Sequence, residues 1–157
     1  MKRGFTLIEV LVALFILSIA IGGTFEAIIA NLNAANLVRD TFVASGLTQE
    51  GMEVMRNLRD SDWLAGRAFG TSLPEGLNRR IEWNSLLPLP SDPTAYLRKS
   101  ADGFYTYTPS DPVTPYQRTV DIVKNSATEY KITVTVTWQE RKSLKKVSAE
   151  EHLYDWY

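Results

Sequence analysis

Lys2-Arg3-Gly4-Phe5-Thr6-Leu7-Ile8-Glu9 opens the chain after Met1. It runs directly into Val10-Leu11-Val12-Ala13-Leu14-Phe15-Ile16-Leu17-Ser18-Ile19-Ala20-Ile21-Gly22-Gly23. No residue between Glu9 and Glu26 is charged. As a helix, Phe5 to Phe25 would span roughly 31 Å at about 1.5 Å per residue, enough to cross the hydrocarbon core of a bilayer. Lys2 and Arg3 stand just ahead of it, and basic residues beside an apolar segment hold that end in the cytoplasm. The stretch therefore predicts a single membrane-crossing helix at residues 5–25, with the N-terminus inside and the remainder exported.

Glu9 does not suit the simpler explanations of such a segment. A secretory signal has a basic start and an apolar run, but no use for a carboxylate inside that run. A plain single-pass anchor meets the same objection, because a carboxylate in the membrane costs about 2.5 kcal/mol or more. A buried helix of a soluble protein seldom needs so long an unbroken apolar run.

The order basic residue, Gly, Phe, Thr, Leu, with Glu four places after the Phe, resembles that of type IV prepilins. The resemblance implies that residues 1–4 are a leader peptide. A prepilin peptidase would cut between Gly4 and Phe5 and methylate the new amine of Phe5. Glu9 would then neutralise the N-terminal amine of a neighbouring subunit during assembly, turning two costly buried charges into one tolerable pair. On a helix Phe5 and Glu9 fall on one face, at i and i+4. Gly4 offers a peptidase a small residue before the cut, or simply precedes the helix. The partners implied are other pilin subunits, the peptidase, an inner-membrane assembly platform and, before assembly, membrane lipid. Loss of the leader lowers the basic count from 17 to 15 against 18 acids and takes the net charge from -1 to -3, before the new amine is counted.

Helical periodicity continues beyond the apolar run. Ile28, Leu32, Ala35, Val38 and Phe42 keep three- and four-residue steps, and Leu47, Gly51, Val54 and Leu58 resume them. No proline precedes Pro74. One helix over residues 5–60 is predicted, its first part in lipid and later in a filament core, its second part packing a head. Asn31, Asn33 and Asn36 mark the exit from lipid, and Gly22-Gly23 is either a kink or a close-packing point. The stretch from Gln49-Glu50-Gly51 through Arg56-Asn57-Leu58-Arg59-Asp60 to Trp63 resembles the end of the long helix in minor pilins of the PilV group. Leu7-Ile8-Glu9-Val10-Leu11-Val12-Ala13-Leu14 resembles that group and the related GspI-type secretion pseudopilins. Arg56, Arg59, Asp60 and Asp62 read as helix-end caps and local ion pairs rather than a binding surface. Asp60 and Asp62 have a metal-like spacing, but no glycine turn or distal Glu completes a calcium loop.

Residues 61–157 form the predicted head. All seven prolines fall between Leu73 and Tyr116, so that region is loops and short strands, with Arg80–Trp83 and Gly103–Tyr107 as strand candidates. Tyr130 to Trp138 alternates strictly, with Ile132, Val134, Val136 and Trp138 on one face and Lys131, Thr133, Thr135 and Thr137 on the other. Arg118–Lys124 is its expected partner, with Val120 and Ile122 inward. Gln139–Ser143 is a turn, and Val147, Ala149 and Leu153 mark a final strand. The fold class is α+β: a pilin fold, in which a long N-terminal helix packs on a small antiparallel sheet.

Composition excludes several functions. There is no cysteine, hence no disulfide, thiolate metal site or cysteine nucleophile. His152 is the sole histidine, and no serine elbow, Walker loop or dinucleotide fingerprint is present. The reading is a non-enzyme without cofactor or metal. Lys142, Lys145 and Lys146 are matched across the last 19 residues by Glu140, Glu150, Glu151 and Asp155, so a solvated edge is preferred to DNA contact. The expected function is a minor pilin-like subunit of a type IV pilus, affecting adhesion, motility or DNA uptake. The alternatives are a type II secretion pseudopilin and, in another class, a membrane-tethered enzyme or receptor.

Overall fold

The computed structural model describes Gly4 and residues 6–155. One helix, α1 (Leu7–Leu64), is followed by β1 (Gly76–Arg79), β2 (Tyr96–Lys99), β3 (Tyr105–Thr106), β4 (Val113–Ser126), β5 (Glu129–Glu140) and β6 (Ser143–Tyr154). The chain divides into two compact units, Met1–Asp40 and Thr41–Tyr157. Within the first, α1 stays helical through Gly22-Gly23, and its large apolar side chains are exposed.

In the second unit the sheet is antiparallel in the order β3-β2-β4-β5-β6. β1 and β2 share one edge of β4: Gly76 faces Ile122 and Tyr96 faces Gln117. The long strands arise where the sequence alternates. Along β5, Tyr130, Ile132, Val134, Val136 and Trp138 are buried while the residues between them are partly exposed. Their β4 partners Tyr116, Arg118, Val120 and Ile122 are buried too. Strand pairing therefore gathers one apolar face, which α1 covers through Leu47, Met55 and Leu58.

Gly51 is where helix and sheet meet most closely. A Cβ built there would lie 2.8 Å from Val134 Cγ1 and 3.4 Å from Ile81 Cδ1. Glycine in a helix costs about 1 kcal/mol relative to alanine; here it lets the helix settle on the strand. Gly70 serves the loop after α1 similarly. It has φ +80° with the Tyr130 ring stacked where a Cβ would be, 2.5 Å away.

The proline-rich region departs from expectation. The strand lies at Gly76–Arg79, before the Arg80–Trp83 candidate, and Arg80 makes only an isolated bridge to Leu89. Side-chain bonds decide this. The Asn78 N–H donates to Asp121 Oδ1 at 2.7 Å, holding the residue at φ 53°. A turn then closes from the Ser85 N–H to the Glu82 carbonyl, while Ser85 Oγ accepts from the Glu82 N–H. The second candidate shortens to Tyr105–Thr106, because the Tyr107 N–H leaves the ladder for Glu82 Oε1 at 2.6 Å.

Candidate functional site

The N-terminal turn of α1 is built on Thr6. Its carbonyl accepts from the Glu9 N–H at 3.1 Å and the Val10 N–H at 3.2 Å, and its hydroxyl accepts from the Glu9 N–H at 3.4 Å. Thr6 thus caps the helix, with Glu9 three residues on in the capping-box position. The sequence signal for this cap is Thr6-x-x-Glu9 directly before an apolar run. Glu9 lies in the first turn, where the positive end of the helix dipole favours a carboxylate. Both Gly4 and Glu9 are exposed, and nothing lies within 4 Å of a Cβ built on Gly4. Phe5, and Lys2 and Arg3 before it, lie outside the described residues.

Past Glu9 the helix suits lipid. Its most apolar 18-residue window has mean hydropathy 2.3, and none of that window is buried. The hydroxyls it carries are satisfied internally: Ser18 Oγ donates to the Leu14 carbonyl and Thr24 Oγ1 to the Ala20 carbonyl, each at 2.8 Å. Hydrocarbon offers polar groups no partner, so such back-bonding lets serine and threonine enter at little cost. The helix is long and apolar enough to cross a membrane.

The charged stretch at the other end of α1 serves packing. Arg56 reaches Glu53 and, through its Nε and Nη2, Glu151 on β6 at 2.7–2.9 Å. Arg59 pairs with Asp60 at 2.7 Å. Asp62 is fully buried and accepts from the Ser72 N–H (2.7 Å), Ser72 Oγ (2.6 Å) and Arg67 Nε (2.9 Å). Burial alone disfavours its charged form, but those bonds outweigh it and hold the carboxyl below the usual aspartate range. Asp60 and Asp62 therefore serve different partners, and no group of three or more metal-ligating side chains occurs among the described residues.

A second buried ion escaped the sequence reading. Arg118 is fully buried in β4. It donates from Nη1 to the Leu47 carbonyl (3.1 Å) and Glu50 Oε1 (2.7 Å), and from Nη2 to the Ile81 carbonyl (2.7 Å). Its own carbonyl accepts from the Tyr107 hydroxyl at 3.0 Å, in a setting where burial pushes the phenol up to about 12. The signal was its place on the inward face, two residues before Val120.

Residues 1–25 match the prokaryotic N-terminal methylation motif. No curated protein and no solved structure gives a significant match. With the α+β architecture, the motif supports a type IV prepilin-like protein, a pilin-like or pseudopilin precursor of the kind that prepilin peptidase processes. The motif points to a structural protein, implies assembly with other pilins and, with the long apolar helix, supports a membrane anchor.

Proposed function

We propose that the chain is a minor pilin-like subunit of a type IV pilus. Residues 1–4 form the leader, prepilin peptidase cuts between Gly4 and Phe5, and the amine of Phe5 is methylated. The mature subunit waits in the cytoplasmic membrane on residues 5–25 with its head, residues 61–157, outside. The assembly platform then draws it into an extracellular filament, where Glu9 pairs with the N-terminal amine of a neighbour. The observation that carries this reading is the methylation motif, within which Glu9 is a lone carboxylate in the first turn of a helix that carries no other charge before Glu26. The exposure of Gly4 supports access by a peptidase.

Mass spectrometry of the mature N-terminus tests it. The expected product starts at N-methylated Phe5 and lacks Met1 to Gly4. An intact Met1 would overturn the reading and favour a membrane-tethered protein of another class. The Leu7–Leu14 variant of the motif also suits a type II secretion pseudopilin. Neighbouring genes for secretion rather than pilus components would favour that reading, as would co-purification with a secretion assembly platform.

A further inference from the structure

β6 ends the sheet order and pairs with β5 alone, which leaves its other backbone edge open among the described residues. The two halves of this edge differ. Toward its C-terminal end, Glu151 is tied across to Arg56 of α1, and Glu150 is held by Lys131 at 2.8 Å. Toward its N-terminal end, Arg141, Lys142, Lys145 and Lys146 have no ion-pair partner among the described residues. Along the chain from Gln139 to Ala149, Glu140 is the one acid beside these four positive charges. The balance seen in sequence is thus not a balance in space, because the other acids of the hairpin lie at its far end and Glu150 and Glu151 are already engaged.

Between the two halves lie Val147, Ser148 and Ala149, small and uncharged. Val147 and Ala149 also border a groove of about 290 Å³ whose other wall is α1 from Ser45 to Arg56, including Thr48, Met52 and Glu53, the last neutralised by its pairing with Arg56. An added strand would find three things here: unpaired backbone groups, a shallow apolar trough for alternate side chains, and a positive field at one end. Edge lysines ordinarily repel incoming strands. They do not repel an acidic one.

We propose that the open edge at 144–149, with the basic turn before it, docks an extended acidic segment of a partner protein by strand addition. This surface lies within the unit Thr41–Tyr157, apart from residues 5–25 to which the proposed function assigns assembly. Backbone pairing supplies the contact, and Lys145 and Lys146 select for acidic side chains on the incoming strand.

The test uses the full-length, isotope-labelled chain in detergent micelles at low salt. The probe is a seven-residue peptide alternating glutamate and valine, and its control alternates lysine and valine. The acidic peptide should shift and slow the exchange of amides 144–149, while the basic peptide does neither. The double variant Lys145→Glu, Lys146→Glu should bind the acidic peptide at least tenfold more weakly and gain binding to the basic one. Unchanged β4 and β5 amides would show that the variant is folded. Absence of acidic-peptide binding at millimolar concentration would overturn the proposal. So would equal binding of both peptides. Shifts confined to Arg141 and the lysines, without slowed exchange and matched by a short DNA duplex, would overturn it in favour of a polyanion patch. Protection of the edge in the free protein together with dimers in light scattering would overturn it in favour of a second copy.

Discussion

Glu9 and Asp62 are both carboxylates on α1, and their surroundings give them different work. Glu9 is exposed at the helix start, where its N–H bonds to Thr6. In lipid such a group is a liability of about 2.5 kcal/mol or more until a cation meets it. Glu9→Val should therefore leave membrane insertion intact or improved, yet impair incorporation into filaments. Comparing the variant in membrane and sheared-filament fractions checks this, and normal incorporation would remove Glu9 from assembly. Asp62 already has its partners. Because its folded-state carboxyl titrates below the unfolded value of about 3.9, its contribution is present above that pH and is lost as pH falls through the folded value. Asp62→Asn should cost about 1–3 kcal/mol at neutral pH, the range for disturbing buried hydrogen bonds. It should also flatten the loss of stability below about pH 4. Urea titrations of both proteins from pH 7 to pH 3 measure each effect, and parallel curves would show that Asp62 is not the titrating group.

At the scale of elements, what was legible in the sequence was whatever repeated. β5 alternates without interruption, so its buried face could be named residue by residue, and β4 and β6 followed as partners able to bury the same face. The continuous apolar run gave α1 in the same way. β1 to β3 were not legible because their positions depend on contacts distant in sequence: Asn78 on Asp121, Glu82 on Tyr107, and Arg98 Nη1 on the carbonyls of Pro109 and Asp111. Arg118 shows the limit of pattern reading, since an inward arginine becomes sensible only when Leu47, Glu50 and Ile81 arrive around it. At the N-terminus, the chemistry expected of Glu9 was legible as a motif while its cap, Thr6, passed unused. Gly51 sits between these cases: it kept the helical spacing, but nothing in the sequence said that its missing side chain was required. Gly51→Leu should destabilise the head by about 1–3 kcal/mol through overpacking against Val134 and Ile81. Adding Val134→Ala should recover part of that loss. Two independent costs that merely summed, as read by urea midpoints, would mean that the helix does not press on β5 at this point.

The whole molecule joins two segments with different solvents. The unit Met1–Asp40 exposes apolar side chains along its length and has no buried residue among those described, so a bilayer or other helices must complete it. The unit Thr41–Tyr157 needs no such completion. It holds both apolar clusters, one around Met55, Ile132 and Val134 and the other around Leu47, Val136 and Trp138. It also holds both buried ions with their partners. Its length is well within the range of independently folding domains. A fragment covering Thr41–Tyr157 should therefore dissolve without detergent and unfold in one cooperative transition. Its midpoint should lie within a few degrees of that of the head in the full chain in micelles, because both apolar clusters and both buried ions are retained. The full chain without detergent should aggregate through residues 7–40. Differential scanning calorimetry, together with near-UV circular dichroism of the four-tryptophan chain, separates the outcomes. A fragment that kept its far-UV signal but lost fixed aromatic packing would show that the head depends on the first half of its helix. It would also refute the division of labour in which lipid and neighbouring subunits meet one unit while the other folds by itself.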